Sequence, residues 1–203
     1  AACHYCNVKR IVNVSTQSAK IDRKGLYGKT KALADEAFQS SGMDVATLRA
    51  SIVYGPDLLG VFGQLVDAVR NLPVVPVIGN GKWRSRPLHV RDLSFAIKAV
   101  LESSNTVGKT YDLVGPDEVK FDQLIDLVSS ELGHSRPKLL IPYQAVLPVV
   151  WLMARLLKNF PVTVSNVLGS NQNVEFDGDA LGRDIDFSPM PIAQGLKEVL
   201  TDV

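Results

Sequence analysis

Blocks of like charge are missing from this sequence. Against 22 lysines and arginines stand 21 aspartates and glutamates in 203 residues, a formal net charge of +1 at pH 7. So balanced a chain gives little reason to expect nucleic acid or an anionic membrane surface as its main partner. Cysteine is scarce: Cys3 and Cys6 cannot build a disulfide framework, and they fit a reducing compartment. No basic-then-apolar leader and no transit-peptide pattern opens the chain, which begins AACHYC without an initiator methionine. The start reads as a cut, and the chain as part of a longer protein. Repeats and low-complexity stretches are lacking too, and 46% hydrophobic with 21% charged residues argues against disorder. A chain of this length can bury the core of one large or two small domains.

Long uninterrupted apolar runs are also absent. The most apolar stretch, LLIPYQAVLPVVWLMARLL at 139–157, is broken by Pro142, Gln144 and Pro148 and closed by Arg155. A membrane span needs roughly 18 or more apolar residues without such breaks. The stretch therefore reads as a buried or lid-forming helix. The alternative is a surface-lying helix that touches lipid or a protein partner through Trp151, Leu152, Leu156 and Leu157.

What is present is an alternation of strand and helix patterns. Arg10–Ser15 is a short β-branched run that reads as a buried strand, followed by a polar loop, Thr16–Arg23. Leu26–Ser40 is rich in helix formers, with Leu26, Leu33, Ala37 and Phe38 able to share a face and Gly42 as a stop signal. Asp44–Arg49 is the next strand, so the unit is βαβ, with parallel buried strands and a right-handed crossover. Beyond Tyr54-Gly55-Pro56, helices are expected over Phe62–Asn71, Arg91–Glu102 and Phe121–Leu132. Pro73–Ile78, Arg86–His89, Thr110–Val114 and Leu139–Ile141 should be extended, Gly79-Asn80-Gly81 a turn, and Pro191–Leu200 a last helix.

Tyr27-Gly28-Lys29-Thr30-Lys31 is the most informative local feature, because residues four apart share a helix face. A phenol is a poor base at neutral pH, and an adjacent ammonium favours phenolate. Ser15, Thr16 or Ser18, at the carboxyl end of the preceding strand, would complete a proton-transfer site where open α/β sheets bind ligands. Alone, Tyr-x-x-x-Lys is equally the pattern of a packed tyrosine beside a solvated lysine.

Several ordered segments carry a resemblance. RIVNVST, YGKTKALADEAF and DVATLRASIVYGP, followed by GNGKWRSRPLHVRDLSFAI and TYDLVGPDEVKFDQLIDLV, resemble the extended short-chain dehydrogenase/reductases, the NAD-dependent epimerase/dehydratase family. LPVVPVIGNGK, the apolar stretch and ALGRDIDFSPMPIAQGL are most similar to the atypical branch that includes the dehydrogenase-like accessory subunit of respiratory complex I. The resemblance implies an α/β fold: part of a Rossmann-like doubly wound parallel sheet, with its first half upstream, and a smaller α+β substrate-binding region. Residues 1–60 would be the second half of the dinucleotide-binding domain and 61–203 mainly the substrate region, with about 86–115 returning to the Rossmann core.

The resemblance further implies an NAD(P)-dependent epimerase, dehydratase or reductase acting on a hydroxyl-bearing small molecule, by default a nucleotide sugar. Tyr27 would be the general acid/base, Lys31 would hold the nicotinamide ribose, and Thr16, with Ser15 as alternative, would bind the substrate oxygen. Ala50, Ser51, Ile52 and Val53 match the loop beside the nicotinamide, with Ala50 in place of the usual proline. Arg84 and Arg86 are candidates for a substrate phosphate or carboxylate. The Gly-rich dinucleotide turn occurs nowhere in the sequence, so the choice between NAD and NADP is unreadable, and these residues alone are expected to be inactive and to bind either weakly. The competing expectation is a non-catalytic NAD(P)-binding structural subunit. Homodimers or a larger complex are expected as assemblies, without membrane insertion, in the cytoplasm or in a membrane-associated complex.

No metal is expected: structural zinc wants four ligands, and Cys3-His4-Tyr5-Cys6 has no second cluster nearby. The two cysteines read as half-buried residues on a leading helix, His89 as a structural hydrogen-bonding residue, and Asp92 as a residue at a helix terminus.

Overall fold

The computed structural model describes residues 2–21, 25–142, 144–146, 148 and 175–201. Trp151, Leu152, Arg155, Leu156 and Leu157 lie outside them. No helix among the described residues is long and apolar enough to cross a membrane.

In chain order, the first elements are α1 (Ala2–Tyr5), β1 (Arg10–Thr16), a 3₁₀ turn (Gln17–Ala19), α2 (Leu26–Gln39), β2 (Asp44–Ala50) and β3 (Val53–Tyr54). Next come α3 (Gly60–Asn71), β4 (Val75–Ile78), β5 (Arg84–Ser85), β6 (Leu88–His89), α4 (Val90–Glu102) and β7 (Thr110–Leu113). β8 (Val119–Lys120), α5 (Phe121–Glu131), β9 (Lys138–Ile141), α6 (Ala180–Asp184) and α7 (Ile192–Leu200) follow.

The expected βαβ unit is there: β1 and β2 run parallel, with Arg10 opposite Asp44 and Thr16 opposite Ala50. β7 pairs parallel on the other side of β2, Thr47 against Thr110 and Ala50 against Leu113, giving the order β1-β2-β7. Side chains alternate across such a sheet. Val12, Ala46, Leu48, Tyr111 and Leu113 gather in one apolar core with Leu93, Ala96 and Val100 of α4. Arg10 fastens the far end of that helix, its Nη2 donating to the Val100 carbonyl at 2.7 Å and the Thr106 hydroxyl at 2.6 Å.

The opposite face of β1 and β2 carries Asn13, Ser15, Thr47 and Arg49, and it meets α2. The face that Leu26, Leu33, Ala37 and Phe38 can share is not the docked one, and of the four only Phe38 is half-buried. Leu26 and Leu33 are 73% and 63% exposed and Ala37 is exposed too, while Gly28 and Asp35 are the buried positions of the helix. The reason is the polarity of the strand face: Asp35, 2% exposed, accepts hydrogen bonds from Asn13 and Arg49, and these directional contacts outrank the leucines in choosing which stripe faces inward.

A second core joins α3, β4, α5 and α7 through Phe62, Val66, Val77, Ile125, Val128 and Leu196. β4 and β9 pair parallel within it. Of the extended segment expected at Arg86–His89, only Leu88–His89 is strand, as β6 paired parallel with β3; β5, just before that segment, pairs antiparallel with β8. Val53, expected in a loop, is thus a strand residue. Between these pairings, Gly115 donates its N–H to the Arg86 carbonyl and Leu88 to the Ile52 carbonyl, tying the carboxyl-end loops of β2 and β7 together.

Candidate functional site at the carboxyl edge of the sheet

The register that sets Thr16 opposite Ala50 brings the end of β1 beside the loop that leaves β2. Lys31, half-buried on α2, donates from Nζ to the Val14 carbonyl at 3.1 Å, so its ammonium sits at the end of β1. Tyr27 lies one turn earlier, 58% exposed. The neighbouring hydroxyls differ. Thr16 caps the 3₁₀ turn, its Oγ1 accepting from the Ser18 N–H at 3.3 Å. Ser15 is buried, and its Oγ has no hydrogen-bond partner among the described residues.

Ala50 ends β2 as a ladder residue, so pairing fixes the chain where a proline would otherwise do so. Ser51 is buried; its N–H donates to the Leu113 carbonyl and its hydroxyl to Gln17 Oε1 at 3.2 Å. Ile52 accepts from Leu88, and Val53 starts β3. Tyr27, Lys31, Ser15, Thr16 and the 50–53 loop therefore belong to one edge of the structure.

The two arginines do not act together. Arg84 pairs with Glu118 at 3.0 Å. Arg86 donates to the Pro116 carbonyl at 3.1 Å and lines a cavity of about 280 Å³ with Val114, Gly178, Asp179 and Phe187, just past the carboxyl end of β7.

Two features escaped the sequence reading. One is the bridge from Asp35 to Asn13 and Arg49, whose only signal was an acid four residues after Lys31 and a polar residue inside a β-branched run. The other is Gln17, which reaches across to Ser51.

His89 is a structural hydrogen-bonding residue as expected. Fully buried, it caps α4 by accepting the Arg91 N–H at Nδ1, and burial holds its pKa below the ordinary 6.5. Asp92 lies in the first turn of the same helix and accepts from the Met190 N–H. Cys3 is half-buried in α1, whereas Cys6 is exposed just beyond it, because so short a helix leaves its end in solvent; both are free thiols. No cluster of three metal-ligating side chains occurs among the described residues.

An ammonium, a phenol and two hydroxyls, one of them buried without a partner among the described residues, are groups that can hydrogen-bond ribose hydroxyls and a carbinol oxygen.

The family model described as the NAD dependent epimerase/dehydratase family matches residues 1–113. A mitochondrial protein of Dictyostelium discoideum, NADH dehydrogenase (ubiquinone) 1 alpha subcomplex subunit 9, is 27% identical over 122 residues, 60% of this chain and 34% of that protein. The Arabidopsis thaliana 3beta-hydroxysteroid-dehydrogenase/decarboxylase isoform 1 is 24% identical, with 98% of this chain and 54% of its own length covered. This chain thus spans between about a third and about half of these curated relatives. Among solved structures, dTDP-glucose 4,6-dehydratase from Bacillus anthracis, in complex with NAD, superposes with a TM-score of 0.72 at 18% identity, over 98% of this chain and 63% of that one. UDP-glucuronic acid 4-epimerase from Bacillus cereus, in complex with UDP-glucuronic acid and NAD, gives 0.74 at 17% identity, over 99% and 64%. These likenesses establish the fold, a parallel sheet of Rossmann type with helices on both faces.

Proposed function

The chain belongs to the NAD dependent epimerase/dehydratase family, and from that premise we propose that the full-length protein is an NAD-dependent oxidoreductase acting on a hydroxyl-bearing small molecule, a nucleotide sugar by default. The observation that carries this reading is the Lys31 ammonium on the Val14 carbonyl near the end of β1, with Tyr27 one turn before it on α2 and, next to Val14 in the strand, Ser15, whose buried hydroxyl has no partner among the described residues. NAD is the cofactor that the family's description names, and when bound it supplies a hydride acceptor.

The chain's own residues handle the proton and the oxygen. Tyr27 takes the proton of the substrate carbinol and returns it when the carbonyl is reduced. Lys31 holds the ribose hydroxyls and stands one helical turn after Tyr27 on the same face of α2. Thr16 donates to the substrate oxygen, and Ser15 is the second candidate for that role. Ala50, Ser51, Ile52 and Val53 border the nicotinamide. Arg86 is the better of the two arginines for an anionic substrate group, because Arg84 is already paired with Glu118. A dimer, in the cytoplasm, is the assembly this reading carries.

A second reading is favoured by the 27% identity to the Dictyostelium protein: a subunit of a membrane-associated complex that binds NAD(P) without turnover. One experiment separates the two. Full-length protein is incubated with NAD and a panel of UDP- and dTDP-sugars, and the anomeric proton signals are followed by NMR. Conversion of one sugar, lost in Tyr27→Phe, supports the enzyme; NAD binding with no sugar converted supports the subunit.

A further inference from the structure

α2 has an unusual docking face for a helix that carries a reactive pair. Its two leucines at 26 and 33 point outward, and its innermost side chain is the carboxylate of Asp35. Each oxygen of that carboxylate has a partner on a different strand: Oδ1 accepts from Asn13 Nδ2 of β1 at 2.9 Å, and Oδ2 from Arg49 Nε of β2 at 2.9 Å. Asn13 Nδ2 also approaches Thr47 Oγ1 at 3.4 Å. Apolar contacts are non-directional, so a helix held by leucines can turn about its axis with little penalty. Charge-assisted hydrogen bonds to two strands resist that turn in both senses.

Lys31 stands four residues before Asp35 and Tyr27 eight before it, so the three follow one another along a single slowly winding stripe. A rotation of α2 by about 20° would displace a side-chain tip roughly 8 Å from the axis by about 3 Å, enough to part the Lys31 ammonium from the Val14 carbonyl. We propose that Asp35 is a positioning residue, and that its bridge to Asn13 and Arg49 sets the rotation of α2 that holds Lys31 at the end of β1 and Tyr27 at the mouth of the site. What the held pair does rests on the function proposed above; the holding does not.

A buried ion pair could also serve stability alone, and its removal would then lower the melting temperature without moving Lys31. The test uses full-length protein without cofactor, treated briefly with an acetylating N-hydroxysuccinimide ester, with each lysine read by mass spectrometry. Lys29, exposed on the same helix, is the internal reference. Asp35→Asn removes the ion pair with Arg49 at nearly constant volume, and Asn13→Ala removes only the arm to β1, so the second variant decides if the first does not fold. The ratio of Lys31 to Lys29 labelling should rise about threefold or more in a variant that circular dichroism shows to be folded at the labelling temperature. An unchanged ratio in a folded but less stable variant overturns the proposal and leaves a structural salt bridge. Because the assay needs neither NAD nor turnover, a wild type that fails to bind NAD would refute the proposed function while the labelling ratio still decides the role of Asp35.

Discussion

Tyr27 is 58% exposed in the first turn of α2, so its hydroxyl is open to a substrate rather than spent inside the protein. If the full-length protein turns over as proposed, replacing Tyr27 by Phe should leave NAD affinity nearly unchanged and cut turnover by about 100-fold or more, as loss of a general acid/base does. Steady-state kinetics beside calorimetry would check it, and full activity in the variant would remove Tyr27 from the proposed role. His89 makes a different kind of prediction. Its Nδ1 is the acceptor that caps α4, and burial lowers its folded pKa below 6.5. The unfolded chain therefore takes up the proton first. The stabilisation is complete above 6.5 and is lost as pH falls from there to the lowered folded value, because stability rises with pH wherever the unfolded state binds more protons. Urea midpoints measured between about pH 7 and pH 5 should fall on acidification, and His89→Asn, which keeps a capping acceptor, should flatten that slope. A slope identical in the variant would assign the pH dependence to other groups.

α7 docks on the second core at Gly195, where a Cβ would overlap the Tyr54 hydroxyl. The Tyr54 ring is itself fixed between Phe62 at 5.3 Å and His89 at 5.2 Å, centroid to centroid, so it has nowhere to retreat. Gly195→Ala should therefore destabilise the protein by about 1–3 kcal/mol, the usual range for overpacking, despite the gain in helix propensity; a melting temperature at or above wild type would show that α7 slides freely. Such contacts explain which elements the sequence revealed. β1, α2 and β2 were legible because each is specified locally, by a β-branched run, by helix formers and by Gly42, which takes a φ of +72° in the turn just past the helix. The inward stripe of α2 was not, because it depends on Asn13 and Arg49 in two other elements. β5, and the narrowing of the expected 86–89 segment to Leu88–His89, were hidden for the same reason: β5 and β6 are two residues each and owe their existence to β8 and β3. Of the candidate site, the Tyr27, Lys31 and Thr16 stretch could be read from spacing and resemblance, while the different surroundings of Ser15 and Thr16 required the strand's alternation and the 3₁₀ turn.

Taken together, the molecule places its polar groups where the parallel strands end and its apolar mass in two cores beneath and beside that edge. The first core carries α4 on one face of the sheet, the polar bridge carries α2 on the other, and the loops after β2 and β7 are laced by the segment that crosses at Arg86–Leu88. That arrangement gives the proposed function its geometric basis: a rigid edge offering hydroxyls and one ammonium to a ligand. The proposed function depends on this edge receiving the nicotinamide-ribose part of NAD. Isothermal titration of NAD into the full-length protein and its Lys31→Ala variant tests it most directly. The account predicts saturable binding by the wild type and a loss of about tenfold or more in affinity when the ammonium is removed, in keeping with the worth of a hydrogen bond to a charged group. NAD binding of equal strength in both proteins, or none by the wild type, would contradict it.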